Sequence, residues 1–189
     1  MKKLFLIIGA PGSGKTTDAE LIASKYTNVT HYSTGDMFRA EVASGSQRGQ
    51  IIDTYIKAGN IVPIDIAIET ILMAIKNAPT DIIVIDGYPR SIEQMLELDK
   101  YLEKEDAVKL LNCIEVEVSE EVARDRVLGR SRGADDNIEV FNNRMNVYKE
   151  PLKQIKEFYL KRGLLKVING EGTIKEIVDE MDTFIQSRI

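Results

Sequence analysis

The strongest constraint on this chain lies in its first sixteen residues. The apolar run at residues 4–8 (LFLII) breaks without a spacer into Gly9-Ala10-Pro11-Gly12-Ser13-Gly14-Lys15-Thr16. That segment fits the pattern G-x-x-x-x-G-K-[ST] at every fixed position. A continuous apolar run is what a strand buried on both faces of a parallel sheet requires. The glycines let the backbone curl so that successive N–H groups face one anion, and the helix that follows adds its positive dipole end. Lys15 supplies a charge for the β- and γ-phosphates, and a following hydroxyl can reach Mg2+. The segment predicts a strand, a phosphate loop that holds a nucleoside triphosphate through Gly12, Ser13, Gly14, Lys15, Thr16 and Thr17, and a helix over 15–25.

Four more strand-like runs follow: 31–33, 81–85 (DIIVI), 110–118 (LLNCIEVEV) and 164–168 (LLKVI). Helical periodicity fills the intervals at 35–43, 47–58, 64–77, 92–103, 120–128, 138–161 and 173–187. Strands alternating with helices imply βαβ units, so the predicted class is α/β, a three-layer sandwich on a parallel sheet. At 189 residues the chain suits one domain, and no internal repeat or Pro/Ser-rich linker divides it. The formal charge of −5 argues against nucleic-acid binding through overall charge. Cys113 is the single cysteine, in an apolar run, so a disulfide and a cysteine-rich zinc site are both excluded and a core role is expected. No stretch approaches the roughly 20 apolar residues of a membrane span, and the apolar run at 4–8 is too short for a signal peptide. A cytoplasmic location and no membrane partner are expected.

The acceptor side is written in three further segments. Asp86-Gly87-Tyr88-Pro89-Arg90 follows the strand at 81–85 and so falls at the carboxyl end of the sheet, where open α/β sheets hold their ligands. A carboxylate there can orient water on Mg2+, and Arg90 can grip a phosphate with its planar fork. The other two are Ser33-Thr34-Gly35-Asp36-Met37-Phe38-Arg39 and Gly59-Asn60-Ile61-Val62-Pro63.

With the phosphate loop, these segments resemble the adenylate kinase family, in order and at family-like spacing, from residue 4 to beyond Arg144. The resemblance implies a P-loop fold spanning 1–189, with a helical AMP-binding insert at 33–62 and a short lid at 129–136. By that resemblance Thr34 and Arg39 meet AMP, and the backbone of Asn60, Ile61 and Val62 lines its adenine. Gly87, Tyr88, Pro89 and Arg90 hold its phosphate and nearby ring, and Gln94 reads the adenine edge. Related kinases for UMP or CMP tend to carry alanine and asparagine where this chain has Thr34 and Ser91, which favours AMP.

Arg124, Arg126, Arg130, Arg132 and Arg144 are half of the ten arginines. Four residues apart, Arg126 and Arg130 share one helix face. The resemblance places Arg126 against the ATP base, Arg130 on ATP phosphates, and Arg132 and Arg144 across both substrates, with Asp135 and Asp136 orienting the arginines. It also brings Gly172 to the ATP adenine. Arg124 matches no motif and is read as surface. One residue separates Arg130 from Arg132, so no longer, zinc-bearing lid segment fits.

Two positions depart from the family pattern. Thr16 stands where glycine is usual, so that either Thr16 or Thr17 could serve Mg2+, and Tyr88 replaces a commoner phenylalanine. The lone His31 is read as structural.

The acceptor is a phosphate oxygen, already anionic at neutral pH, so no general base is needed. The expected reaction is direct in-line transfer between ATP and AMP giving two ADP, with Lys15, Arg90, Arg130, Arg132 and Arg144 stabilising charge beside Mg2+. The alternative is a UMP/CMP kinase of the same fold. A small-molecule kinase would not need the arginine set, and a non-catalytic nucleotide switch would bind ATP without turnover. A monomer is expected by resemblance.

Overall fold

The computed structural model describes residues 1–130 and 136–189. Five strands form one parallel sheet: β1 (Lys2–Gly9), β2 (Val29–Ser33), β3 (Ile82–Asp86), β4 (Val108–Glu117) and β5 (Leu165–Asn169). Their order is β2-β3-β1-β4-β5, so the chain fills one side of β1 first and then crosses to the other. The loops after β1, β3 and β4 therefore part at the carboxyl ends of the central strands, which opens the cleft. Register sets those ends level, with Ile7 opposite Asp86 and Gly9 opposite Val116.

Strand alternation divides the apolar side chains between two cores. On one face Leu4, Leu6, Ile8, Ile83 and Ile85 pack under α4 (Ile64–Asn77), α5 (Ile92–Leu102) and α7 (Ile138–Lys161). On the other, Phe5, Ile7, Val84, Ile114 and Ile168 pack under α1 (Lys15–Lys25) and α8 (Ile174–Arg188). This is the three-layer sandwich that the alternating pattern implied. Cys113 is wholly buried in the first of these cores.

Two smaller clusters support the cleft. Phe38, Ile52, Val62 and Ala67 form the core of a helical excursion built from α2 (Thr34–Ala43) and α3 (Gln47–Ala58). Ala123 and Val127 of α6 (Glu120–Gly129) join Phe141 and Met145 of α7 beneath Ala10.

Helix starts are fixed by short polar caps. The side chains of Ser33, Ser46, Ser91, Ser119 and Asn137 each accept from the backbone N–H three positions into α2, α3, α5, α6 and α7, and Thr173 with Glu176 forms a reciprocal capping box at α8. The 24-residue α7 contains Pro151, which has no N–H to donate to the preceding turn.

Candidate active site

Between β1 and α1, Gly12 and Gly14 adopt φ of 81° and 91°, the left-handed region that a loop of converging N–H groups needs. At Gly12 the space is closed as well: an added Cβ would lie 2.4 Å from the Ala123 carbonyl and 2.9 Å from Val127. The loop therefore rests directly on α6, the helix that carries Arg126 and Arg130. Gly12, Ser13, Gly14, Lys15, Thr16 and Thr17 share one cleft with Arg126, Arg130 and Gly172. Arg126 bridges its walls, donating to the Ser13 carbonyl at 3.2 Å and to the Gly170 carbonyl at 3.0 Å. Arg130 makes two bonds to Asp136 Oδ1, at 3.1 and 3.0 Å, which fixes its guanidinium at the cleft edge.

A second cleft lies across the sheet end. It is lined by Thr34, Arg39, Asn60, Ile61, Val62, Gly87, Arg90, Gln94 and Arg144. Gln94 is 3 % exposed, and its Oε1 accepts from the Arg90 N–H at 2.7 Å. That bond leaves the amide nitrogen as the end not used by Arg90. The Arg90 guanidinium donates to the Gly87 carbonyl at 2.8 Å, so the arginine folds back over its own turn. Tyr88 lies behind this wall: its ring is fully buried in the core, and its hydroxyl donates to the Gln94 carbonyl at 2.7 Å. The sequence expectation put Tyr88 among the groups touching the acceptor. The geometry removes its side chain from the cleft, because the larger apolar ring is drawn into the core, and makes it a support for Gln94. Pro89 lines the region where the two clefts meet, with Lys15, Arg90 and Arg144.

Electrostatics tie this junction together. Burial pushes the Lys15 ammonium from 10.5 down to about 7; the Asp86 carboxylate opposes that shift, while Arg90, Arg144 and Arg130 reinforce it. Three guanidinium groups from three separate segments therefore act on one lysine. An anion placed among them would be stabilised by all four side chains.

Asp86 is 2 % exposed and fully engaged. Thr16 donates to its Oδ1 at 2.9 Å, His31 Nε2 lies 2.6 Å from its Oδ2, and the Thr34 hydroxyl donates to its backbone carbonyl at 2.7 Å. Sequence reasoning left open which of Thr16 and Thr17 meets the metal. Both line the cleft of the phosphate loop, and Thr16 is the one whose hydroxyl is bonded to Asp86. A hydroxyl and a carboxylate side by side are hard oxygen donors of the kind Mg2+ takes. His31 lies within β2, opposite Val84, and its ring supports the site carboxylate.

Arg132 and Asp135 lie outside the described residues, as do positions 131–135 of the expected lid. Arg124 is exposed beside Asp125, 3.8 Å away, as expected of a surface residue. Among the described residues no group of three or more His, Cys, Asp or Glu could hold a metal ion, and no helix is long and apolar enough to cross a membrane.

Two features escaped sequence reasoning. Asp18, in the first turn of α1, is 2 % exposed; burial raises its carboxyl from 3.8 to about 6 against the pull of Arg126 and Lys15. Its position three residues after Lys15 was the available signal, since that places it near the loop on a helix. Asn143 touches the segment at 58–60. No local pattern announces a contact between residues 83 positions apart.

The family model described as adenylate kinase matches residues 7–164. Among similar proteins, the adenylate kinase of Wolinella succinogenes is 65 % identical over 190 residues, covering 100 % of both chains. That of Nautilia profundicola is 64 % identical, covering 100 % of this chain and 98 % of its own. The adenylate kinase of Helicobacter hepaticus is 63 % identical over the full length of both. A family match across most of the chain and relatives aligned from end to end establish that the chain belongs to the adenylate kinase family, as a phosphotransferase acting between ATP and AMP and not a UMP/CMP kinase.

Proposed function

We propose that the two clefts are the two nucleotide sites of one reversible transfer, ATP and AMP giving two ADP, and that their junction is where the phosphoryl group passes. The observation that carries this reading is the convergence of Lys15, Arg90 and Arg144 at the meeting point of the clefts. A group in flight between two phosphates needs charge stabilisation from both sides, and no proton needs to be taken from the acceptor.

The first cleft suits ATP. Gly12, Ser13, Gly14, Lys15, Thr16 and Thr17 cradle the phosphates, Arg126 lies on the base, Arg130 reaches the phosphates, and Gly172 offers its backbone to the adenine. The second suits AMP. Thr34, Arg39, Asn60, Ile61, Val62, Gly87, Pro89 and Arg90 surround it, with Gln94 on the adenine edge and Arg144 on the phosphate; Tyr88 acts through Gln94. Arg132 is assigned to the transfer through the family resemblance. The chain is then one domain, 1–189, with its AMP insert at 33–62 and its short lid at 129–136.

Adenylate kinases generally use Mg2+ with ATP, and Thr16 and Asp86 are the residues that fit it here. When bound, the ion would neutralise charge between the β- and γ-phosphates. Lys15 would regain its proton against the polyanion, Arg90 and Arg144 would orient the acceptor, and closure of insert and lid would exclude water. A cytoplasmic monomer without nucleic-acid, membrane or zinc partners completes the proposal.

The test is ADP production from ATP and Mg2+ with AMP, UMP, CMP, GMP or no acceptor. ADP formed mainly with AMP is the expected result. Turnover led by UMP or CMP would overturn the reading of Thr34 and Gln94, and ADP formed equally without acceptor would overturn the two-site scheme.

A further inference from the structure

One side chain joins α7 to the AMP insert. Asn143, in the second turn of α7, donates from Nδ2 to the Ala58 carbonyl at 2.6 Å and lies 2.8 Å from Asn60 Oδ1. Ala58 ends α3, so its carbonyl is one of the helix-terminal acceptors that intrahelical bonds leave over. Between the two contacts sits Gly59, at φ 73°, the left-handed cap of α3. A Cβ there would lie 2.9 Å from Arg144 Cγ and 3.0 Å from the Val140 carbonyl. The turn thus lies flat on α7, and Asn143 holds both of its flanks. The next residue of α7 is Arg144, which lines both the AMP cleft and the junction.

We propose that Asn143 is a positioning residue for AMP. Its side chain is not part of the lining of either cleft. It fastens the chain at 58–60 to the same helical turn that delivers Arg144, so that the adenine wall at 60–62 and the phosphate arginine are set at one fixed separation. Without it the insert could still fold, because its core of Phe38, Ile52, Val62 and Ala67 is independent of α7. The adenine wall would then lose its register with Arg144. The inference rests on the reading that Asn60, Ile61 and Val62 line the AMP site.

The test compares wild type, Asn143→Ala and Asn143→Gln in two measurements. The first is amide hydrogen exchange across 55–64 without nucleotide, which does not depend on where AMP binds. The second is steady-state kinetics in both substrates. Loss of two hydrogen bonds at an exposed site, each at the low end of its usual worth, corresponds to roughly fivefold. We expect Asn143→Ala to accelerate exchange at 59–62 and raise the KM for AMP about fivefold or more, with the KM for ATP within twofold. Asn143→Gln keeps the amide donor and should recover part of both effects. Unchanged exchange would overturn the fastening role. Faster exchange with an unchanged KM for AMP would overturn the proposal through its premise, by showing that the loop is held but does not form the AMP wall. Equal rises in both KM values would reduce Asn143 to general support and also overturn it.

Discussion

Binding of ATP should load a proton onto Lys15. In the free protein, burial and the nearby Arg90, Arg144 and Arg130 bring the ammonium from 10.5 to about 7, with Asp86 resisting. At pH 8, one unit above that value, about 0.9 of a proton is missing from the lysine. A triphosphate beside it restores the charged form, since an opposite charge within a few ångströms favours the ammonium. The perturbation is therefore ligand addition at pH 8, where Asp18, at about 6, is already ionised. Titration calorimetry in buffers of different ionisation enthalpy reads the protons directly. The expected slope is an uptake near 0.9 in wild type and near zero in Lys15→Met. A heat independent of buffer in the wild type would refute the argument, as would an equal slope in the variant. The same shift has a stability consequence with a definite sign. Between about pH 7 and 10.5 the unfolded lysine holds more protons than the folded one, so this group makes the nucleotide-free protein more stable as pH rises through that window. Below about 7 the full cost of charging the buried ammonium is present.

Two further outcomes can be checked on single variants. Gly12→Ala forces a Cβ to within 2.4 Å of the Ala123 carbonyl at φ 81°, so the loop must leave α6, and ATP affinity by calorimetry should fall at least about tenfold. Lys156→Met strips the 2.6 Å partner from Glu115, which is 1 % exposed in β4; urea denaturation should show a loss of about 2–3 kcal/mol, discounted from the fully buried case because Lys156 is partly exposed, and the added change Glu115→Gln should restore much of it.

What could be read from the sequence follows the range of the interactions involved. Helices such as 47–58 and 64–77 were legible because apolar periodicity is written within one segment; the caps Ser46 and Ser91 were seen only in the structure. The phosphate loop was legible because its ligand groups are consecutive backbone N–H groups. Lys15, Arg90 and Arg144 could be named one by one, each from its own segment, but their convergence depends on β1, β3 and α7 meeting at the sheet end. Tyr88 misled for a physical reason. Its neighbours Gly87 and Arg90 face the cleft, and only the turn's conformation shows that the ring points the other way, into the core. His31 was read as structural, but what it supports could not be named, because a lone histidine carries no spacing. Its partner Asp86 reaches it through the parallel register of β2 on β3, which no local pattern encodes. Asn143 is the limiting case, a contact across 83 residues made by a side chain of ordinary helical character.

Pro151 divides α7 into two unequal arms. The C-terminal arm is anchored by Ile155 and Tyr159 in the main core, while the N-terminal arm is anchored by Phe141 and Met145 on α6 and carries Arg144 into the cleft. At 1.5 Å per residue, Asn143 lies about 12 Å from the proline, so a tilt of about 5° there would swing it by about 1 Å. Because the N-terminal arm and the phosphate loop rest on the same two residues of α6, Ala123 and Val127, a packing change in that small cluster would be felt at the AMP wall and at the ATP phosphates together.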